Sequence, residues 1–337
     1  MNPLISVIIP TFNRGNYIRS AVESVLTQTY PYVEVLVIDD GSTDQTGDVI
    51  KSIKDSRVKY FFTSNKGNYF ARNTGLENAQ GEFIAFLDSD DRFLPSKLSM
   101  QLERFQQNPE LGLCCGNVYI KHLDSPEKFF EDAAHSFSYD FDTNNGFIER
   151  AIESNFMVTS TVMIRRSCVK TLGIFDTTYQ NAMDYEFFLR VIFNFHAVYM
   201  KDKLVERLVH PLGVSQNTIN THKALIFIFS DASRRFEQEK LFSVRHKELI
   251  HQAWQKSMYF LGLEYLVGYD FDNAYRCFTE SGYQKRYLFK KIAMMVAKFR
   301  LSLLVPLICS YRNFRQYDSL HRNPVSVAMK AKSSELG

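Results

Sequence analysis

The sequence of 337 residues lacks the features that mark several large classes of protein. Its net charge is only +3, which is too small by itself to indicate a nucleic-acid partner. Its five cysteines form no Cys-x-x-Cys pair, which favours reduced thiols over a zinc site or a disulfide framework. The first residues show no basic leader and no long apolar run. We therefore expect a cytoplasmic protein that does not bind nucleic acid.

Two phosphate-binding motifs are also missing. No Gly-x-Gly-x-x-Gly follows the first predicted strand, and no Gly-Lys-Ser/Thr occurs anywhere in the chain. These absences argue against a dinucleotide-binding domain and against a P-loop NTPase. Aromatic residues are plentiful by contrast, with 29 Phe and 18 Tyr, and they offer surfaces on which a flat ligand can stack.

Strand and helix patterns alternate through the first 90 or so residues. Helical patterns separate four short apolar runs that predict strands, at residues 4–9, 33–38, 58–62 and 83–87. Such alternation predicts an α/β fold with a mainly parallel sheet, flanked by helices in a Rossmann-like arrangement. Ligands of such sheets bind at the carboxyl ends of the strands. Polar clusters follow all four runs, so we expect the functional site there.

Three carboxylates follow the fourth predicted strand within four positions. Asp88, Asp90 and Asp91 would repel one another unless a cation shared the site, and oxygen ligands favour Mg²⁺ or Mn²⁺. The alternative is that Asp88 ends the strand, that Asp90 or Asp91 caps the next helix, and that nothing binds.

Four sequence blocks stand at these strand ends in a fixed order. They are Ser-Val-Ile-Ile-Pro-Thr-Phe-Asn-Arg at 6–14, Val-Ile-Asp-Asp-Gly-Ser-Thr-Asp at 37–44, Asn-Lys-Gly-Asn-Tyr-Phe-Ala-Arg-Asn-Thr-Gly at 65–75 and Phe-Leu-Asp-Ser-Asp-Asp at 86–91. The series resembles the family 2 glycosyltransferases with the GT-A fold, more loosely beyond residue 100 and as far as about residue 215. The resemblance implies a nucleotide-diphosphate-sugar donor, a divalent cation (Mn or Mg) and inversion at the anomeric carbon.

The resemblance also implies roles for particular residues. The implied nucleotide-binding residues are Pro10, Thr11, Phe12, Asn13, Asp40, Arg72, Asn73, Asp88 and Ser89. Asp90 is the implied metal ligand, and His210 is a second candidate. The chemistry agrees, because an aromatic ring can stack on a base and a carboxylate can accept from the base edge. The alternatives are a buried loop anchor for Phe12, a solvated charge for Arg72 and an ordinary surface or core histidine for His210.

A general base is needed to take the proton of the attacking sugar hydroxyl. The segments Gly-Ile-Phe-Asp at 173–176 and Met-Asp-Tyr-Glu at 183–186 resemble the acceptor-side motifs of the family, which implies that Asp184 is the base. Met183 replaces a Glu that the family usually carries, so the surroundings of the base remain open. A helix-capping role for Asp184 is compatible with catalysis.

We predict a GT-A catalytic domain at 1–218, with a nucleotide-sugar half at 1–110 and an acceptor and base half at 111–218. A helical, basic amphipathic region is predicted at 219–317, followed by a disordered tail at 318–337. Residues 283–315 contain no acidic residue, and their apolar positions fall at helical spacing. This pattern suits the surface of an anionic membrane, although charged residues interrupt it too often for a spanning helix. The alternative is a helix that packs on the protein.

Together these observations predict an inverting glycosyltransferase that moves a sugar, from a UDP-sugar in particular, to a glycan or lipid-linked acceptor in surface polysaccharide biosynthesis. We expect it in the cytoplasm, with peripheral contact at the inner face of the cell membrane. The alternatives are a sugar nucleotidyltransferase and a non-catalytic scaffold that binds nucleotide sugars.

Overall fold

The computed structural model describes residues 2–122, 131–132, 143–179, 182–209, 218–235, 241–284, 287–306 and 308. These residues form two compact units. The first contains the described residues up to 178 together with 183–209, and the second contains 179, 182 and the described residues from 218 onward. The predicted boundaries at 110 and 218 stay predictions, and the predicted tail at 318–337 lies outside the described residues.

The first four strands of the first unit are parallel and lie in the order β3-β2-β1-β4. Their bounds are β1 Ile5–Thr11, β2 Val33–Asp39, β3 Val58–Phe62 and β4 Phe83–Phe86. The connecting helices are α1 Ile18–Leu26, α2 Thr46–Lys51 and α3 Asn68–Asn78. Every residue of β1 and β2 is buried, as expected for central parallel strands with helices on both faces.

The sheet continues in the order β4-β8-β6-β9-β5, and β7 pairs with β6. The strands are β5 Arg92–Phe93, β6 Leu111–His122, β7 Glu131–Asp132, β8 Met163–Arg165 and β9 His196–Val209. The helices are α4 Lys97–Gln107, α5 Asn144–Glu153, α6 Arg166–Leu172 and α7 Met183–Asn194. Strand β8 runs antiparallel to both of its neighbours, so this half of the sheet is mixed. The predicted α/β class is confirmed.

Two glycines shape the start and the packing of α3. Gly67 precedes the helix at a φ of +100°, a backbone conformation that L side chains rarely adopt. Within the helix, a Cβ at Gly75 would clash with the side chain of Ile8 on β1. The missing side chain at Gly75 therefore lets α3 pack directly against β1, and Gly67 allows the chain to enter the helix from the loop after β3.

The described part of the second unit is helical. Its helices are α8 Thr218–Arg235, α9 Val244–Val267, α10 Phe271–Glu280 and α11 Tyr287–Lys298. Tyr259, Phe278 and Val296 belong to a core shared by α9, α10 and α11. None of the helices in the described ranges combines the length and the apolar character that crossing a bilayer requires.

Candidate active site

The loops that follow β1 and β2 are joined by hydrogen bonds centred on Asn13. Its φ of 51° is a left-handed conformation that asparagine tolerates. Its Oδ1 accepts from the N–H of Thr43 at 2.8 Å, and its own N–H donates to Ser42 Oγ at 2.8 Å. The predicted nucleotide-binding residue Asn13 therefore fixes the shape of both loops. The side chain of Phe12 beside it is 42% exposed and open to a stacking partner.

Asp40 connects the end of β2 to the start of α3. Its carboxylate is buried and accepts from the backbone N–H of Lys66 at 2.9 Å and of Gly67 at 2.7 Å. Its backbone N–H donates to the carbonyl of Thr11 at 2.9 Å. Thr11 Oγ1 is buried and has no hydrogen-bond partner within the described residues. Pro10 lies inside β1, one residue before that unpaired hydroxyl.

Arg72 on α3 lies between carboxylates from two parts of the chain. It is only 3% exposed, and its guanidinium donates to Asp88 Oδ1 at 2.5 Å. Burial acts to lower the pKa of Arg72, but the negative charges of Asp88 and Asp184 outweigh it, so the pKa is raised. Its Nε is buried without a partner in the described part of the chain. Arg72 is thus a buried permanent cation, and the interpretation as a solvated surface charge is wrong.

Tyr69 belongs to this cluster, and the sequence analysis did not single it out. The guanidinium carbon of Arg72 lies 5.6 Å from the centre of the Tyr69 ring. Burial raises the pKa of the Tyr69 hydroxyl, and the charge of Asp184 raises it further. The available signal was its spacing, because Tyr69 precedes Arg72 by three positions and therefore shares its helix face.

The carboxylates after β4 differ in accessibility. The side chains of Asp88 and Asp90 are 38% and 21% exposed, and Asp90 Oδ2 lies 3.7 Å from Arg14 Nε. Asp91 is buried and accepts from Ser160 Oγ at 2.6 Å and from the N–H of Leu208 at 3.1 Å. Burial, followed by the charge of Asp88, raises the pKa of Asp91 to about 8. Ser89, which lies between Asp88 and Asp90 in sequence, is also buried. Because Asp91 is buried too, Asp88 and Asp90 are the carboxylates of this segment that a ligand can reach.

Asp184 lies in the first turn of α7 and is held at both oxygens. Oδ1 accepts from the N–H of Tyr185 at 2.9 Å, and Oδ2 accepts from Thr159 Oγ1 at 2.8 Å. The structure therefore brings the predicted base into the electrostatic neighbourhood of Arg72 and Asp88.

The side chain of Asn73 is hydrogen-bonded to a segment about 100 residues further along the chain. Its side-chain amide donates to the carbonyl of Phe175 and accepts from the N–H of Phe175, both at 2.9 Å. This pair of bonds attaches α3 to the Gly-Ile-Phe-Asp segment at 173–176. Asn73 thus has a structural role that the sequence analysis did not predict, and its contact with a nucleotide stays a prediction.

Two of the carboxylates fit a divalent cation whose other ligands come from a bound phosphate and from water. Within the described residues no group of three or more His, Cys, Asp or Glu side chains could hold a metal ion. Mg²⁺, however, commonly takes only one or two protein carboxylates and completes its shell with water and phosphate oxygens. Asp88 and Asp90, partly exposed at one strand end, match that donor set. The second predicted metal ligand, His210, lies outside the described residues.

Comparison with known proteins identifies the family. The model described as Glycosyl transferase family 2 matches residues 6–173. An uncharacterized glycosyltransferase of Haemophilus influenzae is 37% identical over 190 residues, which are 56% of this chain and 71% of the relative. The putative teichuronic acid biosynthesis glycosyltransferase TuaG of Bacillus subtilis is 31% identical over 236 residues, covering 69% and 89%. The chain belongs to the family 2 glycosyltransferases.

A third relative has a more specific name. The UDP-Glc:alpha-D-GlcNAc-diphosphoundecaprenol beta-1,3-glucosyltransferase WfaP of Escherichia coli is 35% identical over 190 residues, covering 56% of this chain and 70% of the relative. Some rickettsial relatives reach 48% to 50% identity but align over only 17% or 18% of their own length. Substrates and partners of the whole protein are therefore matters for proposal.

Solved structures support the fold. Staphylococcus aureus TarS 1-349 in complex with UDP-GlcNAc matches with a TM-score of 0.65 at 17% identity, covering 92% of each chain. The mannosyltransferase PcManGT of Pyrobaculum calidifontis, in complex with GDP-Man and Mn2+, matches with a TM-score of 0.57 at 19% identity, covering 96% of this chain and 87% of that chain. The predicted family and fold are confirmed, and the roles of individual residues stay predictions.

Proposed function

We propose that the protein transfers a sugar from a UDP-sugar, with inversion at the anomeric carbon, to a hydroxyl of a glycan or lipid-linked acceptor during surface polysaccharide biosynthesis. The observation that carries this proposal is the cluster in which Arg72 contacts Asp88 and interacts with Asp184. Donor-side and acceptor-side groups of the predicted site thereby meet at one edge of the sheet. The names of the Escherichia coli and Bacillus subtilis relatives support the acceptor class.

The donor would bind across the loops after β1, β2 and β4. The exposed ring of Phe12 suits the base, and the Thr11 hydroxyl, which has no partner in the described ranges, lies at the same strand end. The buried Nε of Arg72, which the described residues likewise leave without an acceptor, would donate to an anionic group such as the diphosphate. Buried polar atoms without partners are rare in folded proteins, so they favour a ligand that supplies the missing bonds.

Asp90 would hold the divalent cation, Mn²⁺ or Mg²⁺, and Asp88 is the second carboxylate within the same strand end. Such a cation offsets the negative charge that develops on the departing diphosphate. Asp184 would accept the proton of the attacking hydroxyl, because both of its oxygens are oriented while its side chain remains partly exposed.

The test begins with donor binding. We expect Mn²⁺-dependent thermal stabilisation by one of UDP-glucose, UDP-GlcNAc and GDP-mannose, with a UDP-sugar the strongest, and slow release of the nucleoside diphosphate from that probe donor. Asp184→Asn should keep the stabilisation and lose at least about tenfold in release, whereas Asp202→Asn, which changes an exposed carboxylate, should lose neither. Stabilisation of the native protein without turnover would instead support the scaffold. Pyrophosphate release from a nucleoside triphosphate and a sugar 1-phosphate would support the nucleotidyltransferase.

As a second part of this proposal, the protein acts in the cytoplasm and contacts the inner face of the cell membrane through α11. One face of this helix packs in the core of the second unit through Ala293, Val296 and Ala297. The opposite face is apolar and exposed. Seven of the fifteen exposed large apolar side chains in the described chain lie there or just after it, at Leu288, Ile292, Met295, Phe299, Leu301, Leu303 and Leu304.

The charge beside this apolar stripe favours a lipid partner. Lys291 and Lys298 are exposed and lie along one flank of the stripe, at helical positions next to it. A second copy of the chain would bring like charges together across such an interface, whereas anionic lipid headgroups complement them. An in-plane amphipathic helix buries its apolar side chains below the headgroups while its lysines reach back to them.

Vesicle flotation tests this contact with the full chain. We expect flotation with phosphatidylcholine vesicles that contain phosphatidylglycerol and none with phosphatidylcholine alone. The triple change Met295→Ser, Phe299→Ser and Leu303→Ser should abolish flotation, whereas Val244→Ser, at an exposed position on α9, should not. Lys291→Gln and Lys298→Gln should each weaken binding about fivefold. Equal flotation of all variants, or a dimer that the triple change dissociates, would contradict the membrane contact.

A further inference from the structure

A three-residue 3-10 turn, Thr159–Thr161, connects the two groups of carboxylates in the candidate site. Thr159 Oγ1 donates to Asp184 Oδ2 at 2.8 Å. In the next residue, Ser160 Oγ accepts from the N–H of Asp88 at 3.1 Å and donates to Asp91 Oδ2 at 2.6 Å. Two neighbouring hydroxyls therefore link the proposed base to the end of β4.

The turn is fixed by buried bonds from α4. Gln101 Nε2 donates to the carbonyls of Thr161 and Cys114, both at 2.9 Å, and Gln101 Oε1 accepts from Lys97 Nζ at 2.7 Å. Gln101 and Lys97 are completely buried. Moving the turn would leave buried donors and acceptors without partners, which is unfavourable. The turn is therefore a rigid support for the two hydroxyls.

The turn also accounts for the departure at Met183. The family resemblance leads one to expect an acidic residue immediately before the base, but Met183 is apolar and buried. In this chain the side chain of Thr159 makes a polar contact with Asp184 from a different element. A carboxylate oxygen has two lone pairs, so Asp184 Oδ2 can accept from Thr159 and still accept a proton from substrate.

We propose that Thr159 is a positioning residue that holds the Asp184 carboxylate toward the acceptor hydroxyl, and that Ser160 fixes this arrangement to the donor-side strand end. The inference rests on the proposed function, because it takes Asp184 as the base. Orientation of a base matters because proton transfer needs hydrogen-bond distance and alignment, and a misplaced carboxylate loses rate without losing donor affinity.

The test compares Thr159→Val, Thr159→Ser and Thr27→Val in the full chain, with the probe donor selected above. Valine keeps the shape of threonine, and Thr27 is the control because its hydroxyl donates to a backbone carbonyl, that of Glu23 at 2.8 Å, at an exposed position outside the candidate site. We expect Thr159→Val to lower kcat for release of the nucleoside diphosphate about tenfold and to leave the donor KM unchanged. Thr159→Ser should restore kcat, and Thr27→Val should keep it. Should Thr159→Val fail to fold, Thr159→Ala carries the same comparison.

Asp184→Asn separates failure of this inference from failure of the proposed function. If Thr159 acts through Asp184, the double variant with Thr159→Val should be no slower than Asp184→Asn alone. Full kcat in Thr159→Val beside a slow Asp184→Asn would overturn the positioning role and leave the base in place. Full kcat in Asp184→Asn would overturn the base itself.

Ser160→Ala tests the donor-side half by an equilibrium measurement. Without the hydroxyl, the N–H of Asp88 and the buried carboxyl group of Asp91 each lose a partner. We expect the thermal stabilisation by UDP with Mn²⁺ to fall in Ser160→Ala and to persist in Thr159→Val. Equal stabilisation of the native chain and Ser160→Ala would overturn the role of Ser160.

Discussion

Arg72 and Lys97 are both buried cations of the first unit, but their neighbours differ. Arg72 is surrounded by Asp88, Asp184 and Tyr69, and its pKa is raised despite burial. Lys97 is completely buried, donates to the neutral amide of Gln101 at 2.7 Å and lies with Nζ 4.1 Å from the centre of the Phe93 ring. Burial lowers the pKa of Lys97 to about 7. With similar burial, the neighbouring carboxylates therefore keep Arg72 charged, whereas Lys97 is about half protonated near pH 7.

A perturbed pKa by itself therefore does not locate a functional site. The pKa of Lys97 is shifted toward the neutral form, whereas that of Arg72 is not. Lys97 nevertheless donates its hydrogen bond to Gln101, the amide that supports the turn at 159–161. Arg72 has the partly exposed carboxylate of Asp88 beside it, and its buried Nε has no partner among the residues that the structure describes. The arrangement of partners therefore distinguishes a buried cation next to accessible carboxylates from one that supports the fold.

Arg190 provides the reference for a buried cation with a purely structural role. It donates to Glu186 at 2.8 and 3.0 Å and to the carbonyls of Leu172 and Ile174. Arg190→Met should lower the free energy of unfolding by about 3–5 kcal/mol, because it removes the guanidinium group that forms an ion pair with the buried carboxylate of Glu186. Urea denaturation measures this loss. Arg190→Met with Glu186→Met should recover most of it, and no recovery would show that the two side chains do not act as a pair.

Arg72→Lys should mainly affect the binding and turnover of the probe donor. Lysine keeps a positive charge, but its ammonium group cannot reproduce the planar guanidinium, in which one nitrogen donates to Asp88 while Nε points in another direction. A hydrogen bond to a charged group contributes about 1.5–3 kcal/mol, so we expect kcat/KM for the probe donor to fall roughly tenfold to 100-fold, with weaker stabilisation by UDP. Arg19→Lys, at an exposed arginine of α1, is the control and should keep kcat/KM. Equal values for Arg72→Lys and the native chain would remove Arg72 from the donor site.

The parts of this cluster that could be predicted are those with a local pattern. Asp88 and Asp90 follow a short apolar run, and Arg72 lies in a block that resembles a known family, so the sequence indicated their place at the strand ends. The spacing of apolar residues predicted a helix within 283–315, but α11 covers only Tyr287–Lys298, and Arg300 after it has a left-handed φ of 48°. The spacing did not show that Ala293 and Val296 pack in a core while Met295 and Phe299 remain exposed, because the packed face depends on α9 and α10.

The supporting residues could not be predicted, because their partners are far away in sequence. Ser160 contacts Asp88 across 72 positions, and Asn73 contacts Phe175 across 102. Serine, threonine and asparagine occur in turns everywhere, so their types carry no information about such partners. Lys97 is the first residue of α4, where a lysine is ordinarily solvated, and only the packing of α4 against β6 shows that it is buried.

The smallest expected effect is a pH dependence of stability that belongs to Lys97. Its pKa falls from 10.5 to about 7 on folding, so between these values the unfolded chain binds more protons than the folded one. The contribution of Lys97 to stability is therefore lowest below about pH 7, where the cost of burying the charge is fully present, and it rises as the pH increases above that value. Asp91 acts in the opposite direction, because its raised pKa of about 8 makes its own contribution fall as the pH rises toward 8. Burial raises the pKa of the Cys114 thiol above its ordinary value of 9.0, which lowers stability only at higher pH. The informative window is therefore pH 7 to 8.5.

Lys97→Met should remove the positive contribution of Lys97 and so lower the slope of stability against pH across this window, measured by urea denaturation at several pH values. Lys54→Met, at an exposed lysine, should keep the native slope, including the part that belongs to Asp91. At pH 8.5 the native lysine is mostly neutral and satisfies Gln101 Oε1, whereas methionine leaves that atom without its donor at a cost of about 1 kcal/mol or more. The two curves should therefore approach or cross as the pH falls, because only the native chain then has to bury a charge. An unchanged slope in Lys97→Met would mean that Lys97 is not neutralised by burial, and the contrast with Arg72 would disappear.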